Sequence, residues 1–176
     1  NETATAHIIL CVSTDVGAGI RLAAYDEGFT QVYVSRAKNL IPHLIMELPL
    51  PNSLRKSLEG YVDRNSMINS VLVYDILMVY NSSMTTYENA TLYLIDNGTI
   101  TVSGYEANYL TIMIDGGFVD RNGGVHNWTG RFISLISDNK IVQITLFGVD
   151  DDWDNPQIRE VFSYILNSIM IGEEVD

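Results

Sequence analysis

Arg131-Phe132-Ile133-Ser134-Leu135-Ile136-Ser137-Asp138-Asn139-Lys140-Ile141-Val142-Gln143-Ile144-Thr145-Leu146-Phe147-Gly148 consists of two runs rich in β-branched and aromatic residues on either side of a polar dipeptide. That is the composition of two strands joined by a tight turn. Pairing Arg131–Ser137 with Ile141–Gly148 across Asp138-Asn139 makes them antiparallel. Upstream, Asp96-Asn97-Gly98 lies between Leu92–Ile95 and Ile100–Val102, and Asn-Gly supplies the two positive-φ positions of a type I′ turn, so a second hairpin is expected there. The stretches Val71–Tyr80, Ala90–Ile95, Thr99–Ser103 and Tyr109–Ile114 share this composition and read as sheet. Successive antiparallel strands disfavour a parallel, Rossmann-like winding, and the chain reads as α+β.

The flanks supply the helices. Asn155 is an N-cap candidate and Pro156 occupies the first helical position, where its missing N–H costs nothing. Ile158, Val161, Phe162, Ile165 and Ile169 then form one apolar stripe on a helix ending near Gly172. Toward the N-terminus, Ile8–Ser13 reads as a strand, and so does Phe29–Ser35, with Val32 and Val34 on one face and Gln31, Tyr33 and Ser35 on the other. Pro49 and Pro51 stop the short apolar run His43–Leu48 before Ser53, which can cap a helix from about Leu54 to Ile68. Leu54, Leu58, Tyr61 and Val62 mark its apolar face, which Gly60 weakens.

A length of 176 residues suits a single domain, 1–176, and 47% hydrophobic against 18% charged residues is enough apolar material to form a core. The formal charge of −12 repels phosphate backbones and anionic lipid. Only Arg55 and Lys56 are adjacent basic residues, so no local patch reverses that sign. Nucleic acid and a directly bound anionic membrane are thus not expected partners. An unidentified protein or small ligand is, and a cationic partner or metal ion suits the charge better. Oligomeric state is not legible.

The sequence opens Asn1-Glu2-Thr3, as a processed export signal or a trimmed chain would leave it. Asn-x-Ser/Thr acceptors stand at Asn1, Asn81, Asn89, Asn97 and Asn127. This exceeds the roughly two expected by chance and leans toward an extracytoplasmic or secreted glycoprotein, anchored if at all through a removed N-terminal segment. Cys11 has no intrachain partner and lies in an apolar run, where cysteine behaves as a small hydrophobe. The longest apolar stretch is interrupted by Asp75 and is too short for a membrane span.

Two segments carry candidate chemistry. Asp150, Asp152 and Asp154 alternate as calcium-loop ligands do, making calcium the one cofactor to consider. The EF-hand pattern is incomplete, because Asn155 stands where Gly is needed and Val161 where Glu is needed. The competing reading is that these acids favour the following helix N-terminus. The glycine-rich stretch Asp115–Gly130 reads as a long loop in which Asp120, His126 and Trp128 could form a recognition tip. Gly17-Ala18-Gly19 lacks the third glycine of a dinucleotide fingerprint, where Leu22 stands. His7, His43 and His126 fall in no nucleophile-elbow or zinc spacing, so no catalytic residue is assigned.

Ile100-Thr101-Val102-Ser103-Gly104-Tyr105-Glu106-Ala107 followed by a strand resembles the sheet centre of PsbP-like domains. The paired strands of Arg131–Leu146 and the terminal Ile165-Leu166-Asn167-Ser168-Ile169 are similar to the family in order, over residues 92–171. The pattern departs at Ile169, where the family has an aromatic, and the first seventy residues match only in element order. The resemblance implies an α-β-α sandwich with a central, mostly antiparallel sheet, and a binding or assembly role outside the cytoplasm. Alternatives from other classes are a small carboxylate- or metal-dependent hydrolase and a structural cell-surface module.

Overall fold

A computed structural model describes residues 6–11, 17–65, 67–86 and 89–171. Among these described residues six strands form one sheet: β1 (Ala6–Cys11), β2 (Ala18–Tyr25), β3 (Thr91–Val102), β4 (Tyr105–Val119), β5 (Val125–Ser137) and β6 (Lys140–Val149). Their order across the sheet is β1-β2-β6-β5-β4-β3 and every neighbouring pair is antiparallel. Helices α1 (Glu27–Glu47), α2 (Asn52–Arg64) and α3 (Ile68–Thr86) fall between β2 and β3 in sequence and pack on one face. α4 (Pro156–Ser168) packs on the other. The fold is therefore α+β, an α-β-α sandwich around an antiparallel sheet.

The alternation of each strand sends side chains to two cores. Leu110, Ile112 and Ile114 of β4 pack with Leu72, Ile76, Leu77 and Tyr80 of α3. On the opposite face Ile20, Ile133, Ile144 and Leu146 meet Ile158 and Phe162 of α4. The α4 stripe forms as its spacing predicts over Ile158, Phe162 and Ile165, but Val161 is 37% exposed and Ile169 lies just past the end of the helix in extended backbone. Asn155 caps the helix, its side chain accepting from the backbone N–H of Gln157 and of Ile158. The helix stops at Ser168, short of Gly172, which lies outside the described residues.

The β5–β6 hairpin also forms as read, with Asp138 at φ 49° and Asn139 at φ 62° between the paired Ser137 and Lys140. The other expected hairpin does not. Asp96, Asn97 and Gly98 continue β3, and the chain reverses at Ser103 (φ 51°) and Gly104 (φ 80°), between the paired Val102 and Tyr105. Asn-Gly is a strong turn signal, but here burial decides. Leu92 and Leu94 enter the α1–α3 core while Ile100 and Val102 enter the α4 core, although all four share one parity. The register shift between Leu94 and Asp96 inserts the extra residue that exchanges the faces. Gly98 lies beyond it under the Tyr109 ring, which would have to shift for a Cβ, since one there would lie 2.9 Å from the Tyr109 hydroxyl.

Three further expectations are corrected. Phe29–Ser35 is helical: Asp26 caps α1 by accepting from the Phe29 N–H at 2.8 Å. Thr30, Val34, Ala37, Ile41 and Ile45 are its buried residues, a helical spacing that a seven-residue window hides. Val71–Tyr80 is the centre of α3, not a strand. Val71, Leu72, Val73, Tyr74, Ile76, Leu77 and Tyr80 are all buried, so the helix has no wide polar face and its β-branched residues mimic a strand. The helix expected from Leu54 to Ile68 ends at Arg64, α3 starts at Ile68, and Pro51 stands at the N-cap of α2 without a side-chain cap bond in place of Ser53.

β1 occupies most of the expected first strand. The side chain of Cys11 and the acceptor Asn1 lie outside the described residues. Among the described residues no helix is long and apolar enough to cross a membrane.

Candidate functional site

The segment Asp115–Gly130 is mostly sheet. β4 runs to Val119 and β5 starts at Val125, with a register shift between Ile114 and Phe118, leaving a five-residue tip, 120–124. Asp120 builds that tip. Its Oδ1 accepts from the N–H of Asn122 (2.8 Å) and of Gly124 (2.9 Å), while its backbone N–H donates to Gly124 O at 2.9 Å. This is the side-chain mimicry of a turn at which aspartate excels. Gly123 has φ 82°, and a Cβ on Gly124 would come within 2.5 Å of Asp120 Oδ2. The glycines of this stretch thus let a carboxylate and an imidazole approach across a tight turn.

That imidazole belongs to His126. Its Nε2 lies 2.7 Å from Asp120 Oδ2 and its Nδ1 lies 2.5 Å from Asp150 Oδ2. The other oxygen of Asp150 accepts from the Asn127 N–H at 2.9 Å. Asp150 opens a 3-10 turn, Asp150–Asp152, in the left-handed region at φ 47°, a conformation that costs free energy in a non-glycine residue and here is held by both carboxylate oxygens. The two loops that the sequence singles out separately therefore meet at one histidine.

An ionised carboxylate only accepts hydrogen bonds, so this geometry favours the imidazolium form of His126, which alone donates from both ring nitrogens. The hydrogen bond to Asp120, then that to Asp150, raises the His126 pKa above its ordinary 6.5 against a smaller opposing desolvation. The bond from His126, followed by those from Gly124 and Asn122, lowers Asp120. Loss of solvent pushes Asp150 upward as the largest single influence, but the Asn127 N–H and His126 together leave it lowered. The cluster is at the surface, with side-chain exposures of 26% for His126, 37% for Asp120 and 43% for Asp150. With the ring protonated it holds two anions and one cation in alternation.

Its chemistry is restricted by that arrangement. A general base needs a free ring lone pair, and both nitrogens of His126 are taken by carboxylates. The cluster ties the β4–β5 tip to the turn that precedes α4.

The remaining candidates do not join it. Trp128 lies back along β5: a Cβ on Gly130 would be 2.4 Å from its ring. It stacks on Phe147 at 5.9 Å and tilts against Phe132 at 6.1 Å. Half-buried against the α1–α3 core, it is not part of a recognition tip with His126. The calcium triplet does not converge. Asp150 turns to His126, Asp154 pairs with Arg159 at 3.5 Å, and Asp152 Oδ2 is enclosed without a hydrogen-bond partner among the described residues. Among the described residues no group of three or more His, Cys, Asp or Glu is placed to hold a metal ion. Asp120 and Asp150 approach His126 from opposite ends of the ring, so they do not surround one point.

The loop anchors on Trp153 instead. Its backbone covers Gly148, where a Cβ would be 2.7 Å from Trp153 N, and its ring is 8% exposed beside Phe162. Arg159 lies over that ring at 4.2 Å and donates to Trp153 O at 2.6 Å.

Sequence reasoning missed the His126–Asp150 pairing, which spans 24 positions and has no local signature. It also passed over Asp75, although a lone acid inside Val71–Tyr80 was a visible signal.

No family model matches the chain, and no curated relative matches it. Among solved structures it is similar to a Pseudomonas aeruginosa protein of unknown function, at 9% identity and a TM-score of 0.46 over 98% of this chain and 86% of the other. It is also similar to LpqN, involved in cell envelope biogenesis of Mycobacterium tuberculosis, at 10% identity and a TM-score of 0.39 over 93% and 68% of the two chains.

Proposed function

We propose that this chain is an extracytoplasmic, non-catalytic binding or assembly domain, of PsbP-like kinship, that presents the β4–β5 tip and the turn before α4 as one rigid surface. The observation that carries the reading is the double engagement of His126, which makes this surface cluster a structural tie. A tip held on both sides loses little conformational freedom on docking, which favours affinity. The partner is a protein or small ligand.

The extracytoplasmic part of the reading is supported by the sequence acceptors Asn89, Asn97 and Asn127, all exposed. Kinship with PsbP-like domains is supported by the order of β3, β4, β5, β6 and α4 over the residues that carry the resemblance. The rival hydrolase reading calls for a carboxylate beside a histidine with a nitrogen to spare, and His126 has none to spare.

Turnover is the direct test. Ester, phosphomonoester, glycoside and peptide chromogenic substrates are incubated with the protein and with its Asp120→Asn and His126→Ala variants. The proposal expects equal background rates in all three. Turnover that disappears in either variant overturns it.

A further inference from the structure

Asp75 is a carboxylate set between the helical layer and the sheet, and residues from three other elements surround it. Tyr33 of α1 donates its hydroxyl to Asp75 Oδ1, and Gln143 of β6 donates from Nε2 to Oδ2 at 2.5 Å. Arg21 and Tyr25 of β2 are near enough for their charges to couple with it. Around it Tyr25, Phe29 and Tyr33 form a stacked ladder with ring centroids 4.9 to 6.1 Å apart, and Tyr74 meets Tyr33 edge-on at 5.6 Å. Asp75 itself keeps a margin of solvent contact, while its carboxyl group is enclosed. Gln143 is buried.

We propose that Asp75 is a proton-operated latch that seats the first half of α1 on α3 and β6, closed when the carboxyl is neutral and loosened when it ionises. The groups facing it explain the direction. Gln143 from β6 is neutral, Tyr33 from α1 and Tyr25 from β2 are neutral phenols, and Tyr74 is its neighbour on α3. Arg21 is the facing cation and lies on the exposed side of the site. An anion among aromatic rings with mostly neutral donors forgoes hydration that these contacts only partly replace. A neutral carboxyl avoids that loss, and it can donate as well as accept once the Gln143 amide rotates.

α1 is the element that can respond. Its first half reaches the sheet through Tyr33 and through Thr30, whose hydroxyl donates to Tyr25 O at 3.3 Å and accepts from the Ile141 N–H at 3.2 Å. Its second half is fixed separately by Ala37, Ile41 and Ile45 in the main core. Release of the first half would uncover the aromatic ladder without dissolving that core.

Burial raises the Asp75 pKa from 3.8 to about 7, opposed by the Tyr33 hydrogen bond and by Arg21. In the closed state the proton is therefore held more tightly than in an opened, solvated one. Between those two values opening releases a proton, so the opening constant rises about tenfold per pH unit. Above about 7 both states are ionised and the constant levels off, roughly a thousandfold above its acid value.

Amide hydrogen exchange resolved by residue, from pH 4 to 8 and corrected for intrinsic rates, tests the latch. The expected result is that tenfold-per-unit rise and its plateau at the amides of Val34 and Ser35, at an exchange free energy well below that of Phe162 in α4. In Asp75→Asn, which retains an acceptor for Tyr33 without a charge, the slope is flat. Tyr33→Phe provides a second arm should that variant fold poorly: removing the bond that favours the anion moves the plateau to higher pH. A flat profile in the unaltered protein overturns the proposal. So does an exchange free energy at Val34 and Ser35 equal to that at Phe162 at every pH, which would mean that the proton leaves only in global unfolding.

Discussion

Asp150 reaches His126 across 24 residues of sequence, Oδ2 to Nδ1 at 2.5 Å, and with its other oxygen accepts from the Asn127 N–H. One carboxylate thereby fixes a side chain and the adjacent backbone of β5. Removing it should loosen the start of β5 and leave the sheet centre unchanged. In Asp150→Ala, hydrogen-exchange protection at Asn127 should fall at least tenfold while that at Ile133 stays constant.

The same site gives a pH profile. His126 is raised above 6.5, so its contribution is complete below that value and disappears as pH rises through its folded pKa. Asp120 and Asp150 are lowered below 3.8, so theirs is present above that value and disappears as pH falls through their folded pKa values. Protection at Asn127 and Gly124 should therefore be greatest between about pH 4 and 6.5 and decline on both sides, as exchange corrected for intrinsic rates will show.

Two glycines should respond to alanine with opposite signs. At Gly148 a Cβ meets the backbone of Trp153, at 2.7 Å from N and 2.8 Å from Cα, and that backbone cannot move without lifting the Trp153 ring from α4. Gly148→Ala should cost about 1–3 kcal/mol in urea unfolding, the usual range for an overpacked site. Gly60 lies within α2 with nothing within 4 Å of its Cβ position. Gly60→Ala should stabilise by about 0.5–1 kcal/mol through helix propensity and a less disordered unfolded chain.

Calcium offers a negative prediction. A ligand of the folded state alone raises stability by RT ln(1 + [L]/Kd). Because Asp150, Asp152 and Asp154 point to separate surroundings, Tm in millimolar calcium should equal Tm in EDTA. A calcium-dependent rise that Asp152→Ala abolishes would contradict this geometry.

The parts of the fold that were legible are those with local causes. Asp138-Asn139 needs only its own positive-φ tolerance, and Asn155-Pro156 only its own cap. What was not legible depends on partners distant in sequence. Asn97-Gly98 has every local reason to turn, yet Leu92 and Leu94 on one face and Ile100 and Val102 on the other keep β3 continuous through a bulge. α3 carries β-branched residues in a helix because the sheet, α1 and α2 bury most of its circumference. Tertiary burial overrides propensity in both cases. For the site, residue types chosen for loop chemistry did include Asp120, His126 and Asp150, but which carboxylate meets the ring follows from the β4–β5 and β5–β6 registers.

The central claim is that His126 is a charged tie and not a base in waiting. Its ring nitrogens can be followed directly by nitrogen-15 NMR of histidine-labelled protein through a pH titration. The account predicts that both nitrogens carry protons at pH 6, with an apparent pKa above 6.5 that falls toward it in Asp120→Asn. A ring that titrates at or below 6.5 with one bare nitrogen, unaffected by that substitution, would contradict it and leave His126 with a lone pair free for base chemistry.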